Sequence, residues 1–311
     1  MATTKAPKPP KPRPRTLGPY LERTAIPRAV IKSATRTAVR LHATPKDDVA
    51  VGRSKVGGLP DLPAGLAWPT TRYPLPRKRP IIARYTPGEP PMPEDGVVPL
   101  TFLAQIALDT LPAFPDRALL PKRGLLSFFY DGTAWAAAGK KKGWDYLFFR
   151  YPARTRVLYT DHGVKLARAA RAPGTTYPTH ALEAWTEPTL PSYESSAFDA
   201  LRLSARARTA WTEADYELDA NVELHLLLGW AAQLQPYALE SSYKEAHAIL
   251  YPKERALPKK PTARTYEKCR LLLQLDEIGP MRFGRGGRLY FFIREDDLTA
   301  GDFSRVWSCE Q

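Results

Sequence analysis

The residues of this chain whose types could support chemistry are few and widely spaced. The most specific local string is Ser54-Lys55-Val56-Gly57-Gly58-Leu59-Pro60-Asp61-Leu62-Pro63, which closes on Trp68-Pro69. Paired glycines beside a lysine could cradle an anion, because glycine lets backbone N–H groups approach a ligand closely. The string lacks the Gly-x-x-x-x-Gly-Lys-[Ser/Thr] spacing of a P-loop, and no strand–helix frame surrounds it. The competing reading is a turn that places Trp68 on the core. Lys55, Gly57, Gly58 and Trp68 are therefore candidate partner-contacting residues. His42, His162, His180, His225 and His247 show no metal-ligand spacing, and Cys269 and Cys309 cannot complete a zinc site by themselves. There is no nucleophile elbow and no dinucleotide fingerprint. The paired acids Asp47-Asp48 and Asp296-Asp297 have no matching acid or base and read as turn and cap residues. No catalytic residue, metal or cofactor is expected from these patterns.

The elements that must position these residues are two weak copies of one pattern. Phe102-Leu103-Ala104-Gln105-Ile106 is followed by Gly124-Leu125-Leu126-Ser127-Phe128-Phe129-Tyr130; Leu271-Leu272-Leu273-Gln274-Leu275 is followed by Gly287-Arg288-Leu289-Tyr290-Phe291-Phe292-Ile293. Gly58 and Gly229 lie 171 positions apart, Gln105 and Gln274 169, and Phe128 and Phe291 163. Collinear landmarks with slowly drifting spacing point to an internal duplication too long for a solenoid repeat. Gln105 and Gln274 have apolar neighbours on both sides. A buried amide without partners costs about 1–3 kcal/mol, so each reads as a structural pin that satisfies backbone groups of a neighbouring irregular segment. The Phe-Phe pairs resemble single-strand stacking platforms, but their apolar flanks favour burial on both faces. His42 and His225 end the near-copies Val39-Arg40-Leu41-His42 and Val222-Glu223-Leu224-His225, which favours a structural role for both.

Periodicity and turn residues predict a short helix within 20–31 broken near Pro27, a half-buried strand at 37–42 and an ordered Gly/Pro-rich loop at 54–69. A long basic loop occupies 70–99. Strands follow at 102–108, 125–130, 146–151 and 156–159. Residues 161–192 read as loop-rich, 195–207, 211–218 and 243–250 as helices, and 295–302 as an acidic turn. Val306-Trp307 anchors the C-terminus.

At 311 residues the chain can bury roughly three quarters of its unfolded surface. No apolar run reaches the ~18 residues needed to span a bilayer, the N-terminus has no apolar signal region, and a reduced cytoplasmic setting is the default. The net charge of +14 favours acidic or polyanionic partners. Nineteen of the 32 prolines fall in the first hundred residues, so that region is extended and irregular. Residues 1–18 alternate Pro with Lys and Arg and read as a disordered basic tail.

Six strings taken together resemble the YwqG-like family, a mostly bacterial domain of unknown function. They are residues 54–69 (SKVGGLPDLPAGLAWP), 99–108 (PLTFLAQIAL), 124–131 (GLLSFFYD), 225–235 (HLLLGWAAQLQ), 271–276 (LLLQLD) and 287–307 (GRLYFFIREDDLTAGDFSRVW). The resemblance implies a distant relation to programmed-cell-death-2-type ribosome-assembly factors, a duplicated, strand-swapped β unit, and a role in protein contacts as an escort or as a toxin-immunity protein. It transfers no catalytic residue. The chain lacks the cysteines of the zinc module that eukaryotic relatives often carry, and its 70–99 loop resembles an insertion.

The expectation is a β-rich α+β fold. Two pseudo-symmetric duplicated β units, at about 35–160 and 220–307, pack as one globular domain over 19–311 behind the disordered tail 1–18. The expected function is a non-catalytic protein–protein interaction module, escort- or immunity-like, with an acidic partner surface favoured and no membrane association. The alternatives are weak, non-specific nucleic-acid binding through the tail and basic loops, and an enzyme with an unrecognised site.

Overall fold

The computed structural model describes residues 14–73, 81–83, 92–133, 135–138, 144–146, 154–219, 224–284 and 286–311. Ten strands form one large sheet: β1 (Arg36–Pro45), β2 (Lys55–Val56), β3 (Thr101–Ala107), β4 (Leu125–Tyr130), β5 (Thr155–Thr160), β6 (His180–Thr189), β7 (His225–Leu227), β8 (Cys269–Asp276), β9 (Arg288–Arg294) and β10 (Trp307–Glu310). Their order is β5-β4-β3-β2-β6-β1-β7-β8-β9-β10, and every neighbouring pair is antiparallel.

This order consists of two matching runs that diverge from the central β6–β1 pair. That pair is the longest ladder, running from Arg36 opposite Thr189 to Pro45 opposite His180. β1 precedes the first run in the chain yet borders β7 of the second, while β6 leads into the second run yet borders β2 of the first. The registers of the two runs agree. Phe128 stands opposite Ala104 and Phe291 opposite Leu273, in each case the residue before the glutamine. Each ladder skips one residue, at Leu103 in β3 and at Leu272 in β8.

The sheet curls so that its runs face each other across one apolar core. Val39, Ile106, Phe128, Leu273, Phe291 and Ile293 share that core, and Phe128 touches Phe291. All four phenylalanines of the two Phe-Phe pairs are buried, so no stacking platform is exposed. The helices among the described residues are α1 (Gly18–Leu21), α2 (Arg28–Ala34), α3 (Ser196–Asp199), α4 (Ala205–Asp219), α5 (Ala238–Leu250), α6 (Ala263–Tyr266) and α7 (Glu295–Ala300), the last of which places Leu298 in the central core. α5 buries Tyr243, Ala246 and His247 at helical spacing and lays Tyr243 against Trp307 of β10, ring centroids 5.1 Å apart. α4 turns Trp211 and Ala214 onto α1 and α2. No helix among the described residues is long and apolar enough to cross a membrane.

Several sequence expectations change. Within the loop-rich residues 161–192, His180–Thr189 form the long strand β6. Glu183, Glu187 and Pro188 break its apolar alternation, and Glu187 is accommodated by a buried 2.7 Å ion pair with Arg40 of β1. β1 is not half-buried by alternation: residues 38–41 are all buried, because the strand is central and covered on both faces. Residues 295–300 form α7 rather than a turn. The ordered body starts before residue 19, since the Arg15 N–H donates to Glu187 and Leu17 packs beside Tyr20. Residues 1–13 of the expected tail lie outside the described residues. Within 70–99, Thr70–Arg72 pairs with Val97–Pro99 and Ile81–Ala83 with Trp135–Ala138; residues 74–80 and 84–91 lie outside the described residues. His42 and His225 occupy neighbouring strands of the ladder, not matching places in the two runs.

Candidate functional site

The Lys55–Pro63 string folds around a buried carboxylate. Asp61 begins a short strand, Asp61–Pro63, that pairs with Leu166–Arg168. Its Oδ1 receives Arg168 Nε at 2.7 Å and Lys55 Nζ at 3.3 Å; its Oδ2 receives Gln105 Nε2 at 2.6 Å and the Gly52 N–H at 2.8 Å. Burial alone would raise the Asp61 carboxyl. Hydrogen bonds from Arg168, Gln105 and Gly52, with the Lys55 charge, outweigh that and hold it below its ordinary 3.8. Burial lowers the Lys55 ammonium to about 8, against the raising effect of Asp61.

Each candidate partner-contacting residue has an internal place. Lys55 is 1% exposed and lies against Asp61. Gly57 has φ of +70°, and a Cβ there would fall 2.1 Å from the Pro178 carbonyl oxygen; at Gly58, φ +69°, a Cβ would meet Thr179 Oγ1 at 2.4 Å. Trp68 is half-buried, donates Nε1–H to the Leu100 carbonyl at 2.8 Å and stands edge-on to Phe129. These residues brace the loop from within. The sequence reading missed Asp61 and Arg168 as their partners. Asp61 lies inside the quoted string, but nothing local signals an arginine 107 positions away.

Gln105 and Gln274 make corresponding bonds. Gln105 Nε2 donates to the Arg53 carbonyl at 2.8 Å, and its Oε1 accepts the Asp61 N–H at 3.0 Å. Gln274 Nε2 donates to the Leu224 carbonyl at 2.8 Å, and its Oε1 accepts the Ala232 N–H at 2.9 Å. Arg53 and Leu224, like Asp61 and Ala232, are 171 positions apart. Both amides are fully buried and tie a strand to the irregular segment beside it.

A separate concavity lies elsewhere. A pocket of about 400 Å³ opens between the start of β1, the turn after β7, strands β8 and β9, and helices α3, α5 and α6. Arg36 lies on its wall with the guanidinium 3.6 Å above the Trp230 ring. The indole is fixed by its Nε1–H, which donates to the Ala34 carbonyl at 2.8 Å. Burial, then the Arg270 charge, lower the Arg36 guanidinium to about 10. Glu240, on the same wall, accepts the Ser196 N–H on Oε1 at 2.8 Å, and its buried Oε2 has no hydrogen-bond partner. Leu239, Leu271 and Phe292 supply apolar surface. The Cys269 thiol is pushed up to about 12 by burial and stays protonated at neutral pH. Ser195 donates its hydroxyl to the Ser192 carbonyl and accepts the Phe198 N–H as the α3 cap. Trp230 was visible in the sequence only within the 225–235 string, next to the landmark Gly229; Arg36 and Glu240 carried no signal. Among the described residues no group of three or more His, Cys, Asp or Glu side chains could hold a metal ion.

Residues 54–311 match a family described as Domain of unknown function (DUF1963). The chain belongs to that family. No curated protein matches it. The DUF1963 segment begins with Ser54, at the head of the Lys55–Asp61 string, and contains strands β2 to β10. Strand β1, at the centre of the sheet, and Arg36, on the pocket wall, precede that segment.

Proposed function

We propose that this DUF1963 chain is a YwqG-like, cytoplasmic, non-catalytic protein-interaction module, escort- or immunity-like, built from two duplicated β units. The duplication reading rests on the matched registers, the paired skips at Leu103 and Leu272, and the corresponding Gln105 and Gln274 bonds.

The observation that supports the interaction reading is a set of exposed aliphatic side chains on segments tied to Asp61. Asp61 binds the Gly52 N–H, begins the strand that leads to Leu66, and holds Arg168 of the strand that follows Val164. Each of these three segments presents one exposed aliphatic side chain: Val51 at 49%, Leu66 at 46% and Val164 at 42%. Isolated surface aliphatics are ordinary. Three of them stand on segments tied to a single buried carboxylate, and in this reading they act together as one contact surface that loses little conformational entropy on binding. In this reading Lys55, Gly57, Gly58 and Trp68 support the contact surface from beneath. The +14 charge favours an acidic partner, through association rate above all.

The test is affinity purification from the native host with the full chain and with V51S/L66S/V164S, followed by reconstitution of any captured protein. Under this reading the wild type retains a protein that the triple variant, equally folded, releases. Equal retention by both, or turnover of a small substrate by the purified chain, would overturn it.

A further inference from the structure

We propose that the pocket between Arg36 and Phe292 is a binding site for an apolar monocarboxylate, in which the Arg36 guanidinium receives the carboxylate and Leu239, Leu271 and Phe292 receive the hydrocarbon body. The proposal stands independently of the Val51, Leu66 and Val164 surface, which flanks the separate two-stranded sheet of Asp61–Pro63 and Leu166–Arg168.

The geometry defines what Arg36 can do. One face of its guanidinium is taken by the Trp230 ring at 3.6 Å. A stacked guanidinium keeps its N–H donors in the plane of the group, where they match the two oxygens of a carboxylate. Among the described residues those donors have no hydrogen-bond or ion-pair partner, whereas the nearby Arg270 is paired with Glu295 and hydrogen-bonded to the Glu267 and Cys269 carbonyls. Asp116 and Glu295 act on the group only from a distance, and a partly buried cation without a directly paired carboxylate is costly. Burial has already drawn the guanidinium down to about 10, and a bound anion would reverse that effect. The indole beneath it is itself held by Ala34, so the donor is presented from a fixed base.

The rest of the wall narrows the class of anion. The cavity, at about 400 Å³, is the size of a small-molecule site and too small for a nucleic-acid backbone. Its apolar side chains favour a hydrocarbon body over an inorganic ion. Glu240 places a carboxylate in the same wall, with one oxygen lacking any donor. Its repulsion grows with ligand charge, so a phosphate dianion is disfavoured relative to a single carboxylate. The same chemistry is available from a free organic acid or from the C-terminal residue of another chain.

Calorimetry on the full-length protein separates these cases. The probes are 4-phenylbutyrate, its amide, phenyl phosphate, and the peptides acetyl-Ala-Ala-Phe with a free or an amidated C-terminus. At least one free carboxylate is expected to bind saturably below millimolar concentration, with its amide and phenyl phosphate weaker by at least about tenfold, the size of one lost charge-assisted contact. Tighter binding of the free-ended peptide assigns the site to a chain terminus; tighter binding of phenylbutyrate assigns it to a small acid. Arg36→Gln should weaken binding by a similar factor. Ala200→Trp, at the exposed rim, should block the pocket without touching the charge or the fold. The inference fails if acid and amide bind alike, if phenyl phosphate binds more tightly, if both variants bind as wild type, or if no probe binds at millimolar concentration. Loss of the Val51–Leu66–Val164 contact would leave all of these outcomes unchanged.

Discussion

The ring of Phe128 on β4 meets the ring of Phe291 on β9 edge to face, with centroids 5.2 Å apart and planes at 69°. The two residues hold corresponding places in the two runs of the sheet, so the contact joins the halves at the centre of the shared core. A double-mutant cycle of Phe128→Leu and Phe291→Leu should give a coupling energy of about 0.5–1.5 kcal/mol, measured by urea unfolding. Additive losses would mean that the rings contribute buried area alone.

Gly57→Ala should destabilise the protein far more than Gly65→Ala. Both glycines have positive φ, but the added methyl at Gly57 would strike the Pro178 carbonyl, whereas Gly65 faces open space. Leu228, which is 171 positions after Gly57, adopts φ of 58° with a full side chain. Backbone conformation is therefore not the whole requirement, and the close approach of Pro178 decides it. The expected costs are about 1 kcal/mol at Gly65 from conformational strain and several times that at Gly57. Similar melting temperatures for the two variants would contradict this.

Asp61→Asn leaves Lys55 and Arg168 without their shared counter-charge, and should cost about 3–5 kcal/mol. The depressed Asp61 carboxyl contributes stability that is present above its unfolded value near 4 and is lost as pH falls through the lower folded value. Lys55 acts at the other end of the scale. Its folded value near 8 lies below its unfolded value of 10.5, so between those two pH values the unfolded chain binds more protons. The stability of wild type relative to Lys55→Met should therefore rise over that window, by at most about 1.4 kcal/mol per pH unit. A difference that is flat from pH 8 to 10.5 would show that the ammonium is not desolvated.

Trp68→Ala should cost less than Trp211→Ala. Trp211 is fully buried, edge-on to Tyr20 at 5.0 Å, and donates to the Pro191 carbonyl. A full core truncation costs about 3–5 kcal/mol. Half-buried Trp68 should lose about 2–3 kcal/mol through its contact with Phe129 and its bond to Leu100. Near wild-type stability in Trp68→Ala, together with loss of a captured protein, would instead mark the indole as an interface anchor.

The +14 charge invites a salt titration. Binding to duplex DNA should be micromolar or weaker and sequence-independent, with log K falling by about 0.9 per neutralised phosphate as log salt rises. Removal of residues 1–13 should flatten that slope. Sub-micromolar, sequence-preferring binding at physiological salt after that truncation would favour the nucleic-acid alternative over the protein-interaction reading.

The sequence by itself determined the strands of the two runs. Residues 101–107, 125–130, 269–276 and 288–294 are dense apolar segments, and burial on both faces leaves that signature locally. The buried amides of Gln105 and Gln274 were legible for the same reason, since a polar residue inside an apolar strand must find partners close by. Only the tertiary structure decided how the runs meet. β6 contains two glutamates and a proline, and it becomes a central strand because β1 supplies both a ten-residue ladder and Arg40 for Glu187. Lys55 looked like an available anion ligand, and it is consumed by Asp61, which also recruits Arg168 from a distant strand. Arg36 and Glu240 share a pocket wall only because β1 crosses to the second run of the sheet. Strand exchange and burial of charge depend on contacts between segments far apart in the chain, whose free energy is realised only when those segments pack together, so local periodicity carries no trace of them.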